Sequence, residues 1–158
     1  MPDFDIPGYS LRLGSPLDRT TLVKFMERTY AELGDHPPLK HLATTVDRYL
    51  SRETPLWLVE ISNARQTANI PVGCIWLGQA TDQRTGQLHP YVLLLYVHSQ
   101  HRRRGLATAL LDTAHQWASR EGHQQITLQV FSDNGAAQAL YQKLGYVPEA
   151  ILMKRALG

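Results

Sequence analysis

The chain has 158 residues, enough for one ordinary domain, and at 43% hydrophobic it can bury a core without disulfide or metal staples. At 19% charged residues, with a net charge of +2, it does not read as a disordered chain. The basic residues are densest at Arg102, Arg103 and Arg104, which points to a local anion site rather than a wide nucleic-acid-binding face.

One cysteine, Cys74, excludes an internal disulfide and fits a reduced, cytoplasmic compartment. Met1 to Ser10 carries Asp3 and Asp5 and no apolar stretch, so it does not read as a signal peptide. No run reaches the roughly 18 apolar residues of a membrane helix. There is no internal repeat, and the whole of residues 1–158 reads as a single domain.

In chain order, Tyr9 to Leu13 alternates like a short strand. Ser15 or Asp18 caps a helix reaching Leu33, where Gly34 ends it; Leu22, Phe25, Met26, Thr29, Tyr30 and Leu33 form its core face. After Asp35-His36-Pro37-Pro38, a second helix spans about Lys40 to Arg52. Leu56 to Ile61 and Val72 to Leu77 read as strands, with polar connections at Ser62 to Pro71 and Thr81 to Leu88. A fourth strand, Tyr91 to Val97, is apolar on both faces, as a strand covered on both sides should be. A helix from about Arg104 to Glu121, ended by Gly122, leads to a strand at Ile126 to Val130, which predicts a parallel, right-handed βαβ unit. A helix at about Asn134 to Leu144, capped by Ser132 or Asp133 and stopped by Gly145, and a strand at Tyr146 to Met153 close the chain. The expected fold class is α/β, an α+β mixed sheet in the order β-α-α-β-β-β-α-β-α-β.

The chemistry concentrates where the fourth strand turns into the following helix, Val97-His98-Ser99-Gln100-His101-Arg102-Arg103-Arg104-Gly105-Leu106-Ala107-Thr108. The first amides of a helix lack internal partners, and the helix dipole adds positive potential there. A phosphate fits such a place, and the small residues Gly105 and Ala107 let it approach the backbone. Neither a Walker A sequence nor a Gly-x-Gly-x-x-Gly fingerprint occurs. His36 with His41, and His98 with His101, lack the acidic or cysteine partners of a zinc site, so no metal is expected.

Arg102-x-x-Gly105-x-Ala107 resembles the Gln/Arg-x-x-Gly-x-Gly/Ala motif of the GCN5-related N-acetyltransferase (GNAT) superfamily. Asn134-x-x-Ala137-x-x-Leu140-Tyr141-x-Lys143-Leu144-Gly145-Tyr146 is similar to that superfamily's second signature. The match covers about Tyr91 to Leu157. The resemblance implies a GNAT-like fold with central parallel strands splayed at a bulge in the fourth. It implies acetyl-CoA as cosubstrate, and direct transfer of its acetyl group to a primary amine of a small molecule or peptide. Backbone amides of Arg103, Arg104, Gly105, Leu106, Ala107 and Thr108 would hold the pyrophosphate, with Arg102 beside them. The backbone of Leu95 and Val97 would pair with the pantetheine arm, Asn134 would contact that arm, and Tyr141 would protonate the leaving thiolate.

The fourth strand has no carboxylate where many relatives carry a glutamate, which leaves Glu60, His89, Tyr91 or an ordered water as base. A non-catalytic acyl-CoA-binding module is the alternative reading, and a nucleotide-binding protein a third. The acceptor amine and a homodimer both stay open. Neither nucleic acid nor a membrane is an expected partner.

Overall fold

The computed structural model describes residues 4–62 and 69–158. Residues 1–3 of the acidic N-terminus and 63–68 of the polar connection expected at Ser62 to Pro71 lie outside them. The chain divides into two compact units, Met1–Leu128 and Gln129–Gly158.

The first unit holds strands β1 (Tyr9–Leu13), β2 (Leu56–Ile61), β3 (Ile70–Thr81) and β4 (Leu88–Val97) and helices α1 (Arg19–Glu32), α2 (Leu39–Tyr49) and α3 (Leu106–Arg120). The strands form one sheet in the order β1-β2-β3-β4, each pair antiparallel. Strand alternation divides their side chains between two faces. Leu56, Leu58, Cys74, Trp76, Leu94 and Tyr96 pack with Leu22, Phe25 and Met26 of α1 and Leu42 and Val46 of α2. Trp57 points the other way and meets Trp117 of α3, with ring centroids 6.1 Å apart. Leu106, Leu110, Leu111 and Ala114 are the buried stripe of that helix.

Both capping residues expected for the first helix are used. Ser15 accepts from the Leu17 amide and donates its own amide to Asp18, closing a capping box on a short 3₁₀ turn, Pro16–Asp18, that leads into α1. At the other end Gly34 is left-handed (φ 85°). Its amide bonds the Ala31 carbonyl, and the Asp35 amide bonds the Tyr30 carbonyl at 2.8 Å, a Schellman ending.

Two expectations about the sheet are corrected. The strand expected at Ile126 to Val130 is reduced to one parallel bridge, Tyr91 to Thr127, with the Val92 amide on the Thr127 carbonyl at 2.9 Å. Pairing stops there because the register between β3 and β4 jumps from Leu94 opposite Trp76 to Val92 opposite Leu77. Leu93 is thus the extra residue of a bulge, which re-aims the strand beyond it. The strand expected at Tyr146 to Met153 does not form. Pro148 within it has no amide for a ladder, and Val147, Ile151, Leu152 and Met153 are all exposed.

The second unit carries α4 (Gly135–Lys143), whose N-cap Asn134 accepts from the Ala137 amide at 3.2 Å. A second Schellman ending closes it, with the Tyr146 amide on the Tyr141 carbonyl at 2.9 Å.

Candidate active site

The turn after β4 is built to present backbone amides. His98 caps a short 3₁₀ turn, Ser99–His101, by accepting from the Gln100 amide. Arg102 is extended, Arg103 is left-handed (φ 62°), and Gly105 is left-handed (φ 80°) as the N-cap of α3. The first helical bond runs from the Ala109 amide to the Gly105 carbonyl. Gly105 has no side chain to cap with, so among the described residues the amides from Arg103 to Thr108 donate to no protein acceptor. An ideal Cβ on Gly105 would meet nothing within 4 Å, so open space lies against this backbone. Unpaired amides, the positive end of α3 and two left-handed residues together favour an anion.

The three arginines differ in what they hold. Arg102 donates from Nε to the Val97 carbonyl at 3.0 Å, and from one Nη to both carboxylate oxygens of Glu32 at 2.7 Å. Arg104 donates to the Tyr9 hydroxyl at 2.9 Å, and that hydroxyl lies 2.7 Å from Nδ1 of His101. With its oxygen accepting from Arg104, Tyr9 gives its one proton to His101. Burial, Arg104 and His98 all lower the His101 pKa, which favours the neutral ring. Arg103 is exposed, and no protein partner holds its side chain among the described residues.

On the neighbouring edge of β4, Arg102 occupies the Val97 carbonyl, and the other outward backbone groups of Leu95 and Val97 meet no protein partner among the described residues. Hydrogen-bonded and non-bonded pairs alternate along an antiparallel ladder. The His98 amide donates to the Val72 carbonyl at 2.7 Å, so Tyr96, opposite Cys74, also faces β3. The backbone groups of Leu95 and Val97 therefore face outward. Leu106 is buried and contributes only its backbone to the turn.

A cleft of about 420 Å³ is lined by Tyr30, Asp35, His36, Pro37 and His41, between α1 and α2. The Schellman ending of α1 fixes Tyr30 and Asp35 on its wall. The Tyr91 phenol is pushed up by burial and by the adjacent Tyr30. Two of the base candidates are already committed. Glu60 is buried and accepts from Arg12 Nε at 3.1 Å. His89 is buried with Nε2 on Thr127 Oγ1 at 2.9 Å and Nδ1 3.3 Å from the Gln125 amide nitrogen. That nitrogen also donates to Asp82, so Nδ1 is the acceptor and Nε2 carries the proton.

In the second unit, Tyr141 and Tyr146 pack edge to face with centroids 5.6 Å apart, the ring contact that goes with the Schellman ending. Burial raises the Tyr141 pKa, so its phenol keeps its proton. Asn134 spends its side-chain oxygen on the α4 cap and retains its NH₂ as a donor. Sequence reasoning missed the partners of Arg102 and Arg104, because Glu32 and Tyr9 are 70 and 95 residues away and no local spacing links them. Among the described residues no group of three or more His, Cys, Asp or Glu side chains could hold a metal, and no helix is long and apolar enough to cross a membrane.

The acetyltransferase (GNAT) family model matches residues 21–146. N-alpha-acetyltransferase 30 of Saccharomyces cerevisiae is 33% identical over 103 residues, which are 65% of this chain and 58% of that protein. The chain thus spans under two thirds of that relative's length. Among solved structures, a possible acetyltransferase from Clostridium difficile 630 superposes with a TM-score of 0.76 at 18% identity, covering 95% of this chain and 97% of that one. An aminoglycoside N-acetyltransferase in complex with CoA gives 0.72 at 14% identity, covering 94% of each chain.

Proposed function

The chain belongs to the acetyltransferase (GNAT) family, and on that premise we propose that it transfers the acetyl group of acetyl-CoA to a primary amine of a small molecule or peptide. The observation that carries this reading is the continuity of two backbone surfaces: the outward edge of Leu95 and Val97, of which Arg102 occupies only the Val97 carbonyl, and the unpaired amides from Arg103 to Thr108 that follow it. The first suits an amide-bearing extended chain and the second a pyrophosphate, in the order in which an acyl-CoA presents them. Residues 1–158 act as one acyl-CoA domain in this account, in the cytoplasm.

The amine must attack the thioester carbonyl as a neutral nucleophile, so its extra proton has to leave. Glu60 and His89 are tied into hydrogen bonds, and the raised Tyr91 phenol is a poor base. An ordered water therefore takes the proton. The Val97 amide, facing outward, donates to the oxyanion of the tetrahedral intermediate. Collapse expels the CoA thiolate, which Tyr141 protonates; its raised pKa supports that role by keeping the phenol loaded. Asn134 supplies its free NH₂ to the cosubstrate arm. No covalent enzyme intermediate is needed, and Cys74 is unsuited to form one, being buried with its thiol pushed far up by desolvation.

Asp35 is the cleft's carboxylate, at the negative end of α1, and draws a cationic amine. CoA release with a panel of amines, for wild type and Tyr141→Phe, tests the proposal. Turnover with at least one amine, cut roughly 10²-fold in kcat by Tyr141→Phe, is expected. Tight acetyl-CoA binding with no turnover on any amine overturns it in favour of a non-catalytic acyl-CoA-binding module.

A further inference from the structure

We propose that Arg102 is a positioning residue that clamps the end of α1, and with it the cleft at Tyr30 to His41, to the outward carbonyl of Val97. In this role its guanidinium is a partner of Glu32 and not a ligand of the cosubstrate phosphates. Calling the cleft the amine site rests on the acyl-transfer reading above; the clamp itself does not.

Arg102 divides its donors between two elements. Nε holds the Val97 carbonyl at 3.0 Å, and one Nη holds both oxygens of Glu32 at 2.7 Å. Glu32 is the last residue of α1, where a carboxylate opposes the helix dipole and no basic residue of that turn offsets it. Asp35, three residues on, adds a second negative charge. A helix end that breaks the local charge rule twice needs a cation from elsewhere in the fold, and Arg102 supplies it.

Stability does not account for the pair. Both partners are more than two-fifths exposed, at 45% and 43%, and such pairs add little to folding free energy. What the pair fixes is direction. Glu32 is joined to the Schellman turn that sets Tyr30 and Asp35 on the cleft wall, so holding Glu32 holds the wall. Val97 ends the strand edge assigned to the acyl chain. One side chain thus sets the distance between the donor edge and the acceptor cleft.

Glu32→Gln, Arg102→Gln and the double variant test the clamp by three readouts. The first is amide hydrogen exchange in 33–36 of the free protein. The others are acetyl-CoA affinity by calorimetry, and amine KM against kcat. Each single variant should speed exchange in 33–36 and raise amine KM, both about threefold to fivefold, and Glu32→Gln should leave kcat and acetyl-CoA affinity unchanged. The double should match Arg102→Gln, because that variant has already lost the Glu32 pair. Unchanged exchange in the singles overturns the clamp. So does a loss of about tenfold or more in acetyl-CoA affinity for Arg102→Gln that Glu32→Gln does not share, which would make Arg102 a phosphate ligand. If wild type acetylates no amine, the acyl-transfer reading fails while hydrogen exchange still decides the clamp.

Discussion

The His98 amide donates to the Val72 carbonyl at 2.7 Å, and this one bond settles which edge of β4 each of the three preceding residues addresses. It turns Tyr96 toward β3 and leaves Leu95 and Val97 facing outward. Gly73, opposite Val97, is where that arrangement is tightest. A Cβ there would come 2.7 Å from the Tyr96 carbonyl oxygen, a backbone atom that cannot rotate away. Gly73→Ala should therefore cost about 2 kcal/mol in urea unfolding and weaken acetyl-CoA binding by displacing the edge. Gly78→Ala makes the control, since its Cβ would meet only the flexible end of the Leu93 side chain. It should cost less, and equal costs would show that the close approach at Gly73 is not the constraint.

The bridge at Thr127 depends on a half-buried polar chain from Asp82 through Gln125 and the buried His89 to Thr127. Thr127→Val keeps the shape and removes the acceptor of the His89 Nε2 proton. His89 is only 6% exposed, so the orphaned donor should cost about 1–2 kcal/mol in chemical denaturation. A neutral result would mean that water reaches that nitrogen.

Arg12 joins Glu60 to Asp18 by side-chain bonds of 2.9 to 3.1 Å. Burial works to raise the Asp18 pKa, but Arg12 and the Ser15 amide outweigh it and hold the carboxyl below its ordinary value. A carboxylate depressed in the folded state contributes stability above its unfolded pKa of about 3.9, and that contribution is lost as pH falls through the folded value. Asp18→Asn should lower stability at pH 7 by about 1–2 kcal/mol and flatten the loss of stability below about pH 4. Unfolding curves at several acidic pH values check both.

Helix ends were legible because glycines and capping side chains act within a few residues. Gly34, Gly122 and Gly145 are left-handed where three helix stops were expected, and Ser15 and Asp18 sit at the start of the first helix, whereas α4 is capped by Asn134 and not by the expected Ser132 or Asp133. Strands β1 and β2 match their expected bounds, whereas β3 and β4 extend further because their polar ends pair across the Thr81–Leu88 turn. Alternation in Ile126 to Val130 could not report that the bulge at Leu93 limits pairing to one bridge. At Tyr146 to Met153, apolar residues suggested a strand that Pro148 interrupts. In the site, the order of small residues and the helix start marked the amide turn. The division of labour among the arginines depends on Glu32, Val97 and Tyr9, and so on tertiary contacts that no spacing rule encodes.

We propose that backbone amides from Arg103 to Thr108 hold the pyrophosphate of acetyl-CoA, with arginine side chains secondary. Calorimetric titration of acetyl-CoA into wild type, Gly105→Glu and Arg103→Ala tests it most directly, with melting curves to confirm that each variant folds. Gly105 is left-handed and lies beside open space, so glutamate there strains the turn and sets a carboxylate against the anion. Gly105→Glu should weaken binding roughly tenfold or more, and Arg103→Ala by less than about threefold. Equal losses, or a larger loss for Arg103→Ala, would contradict the account and move the phosphate site from the backbone to the side chains.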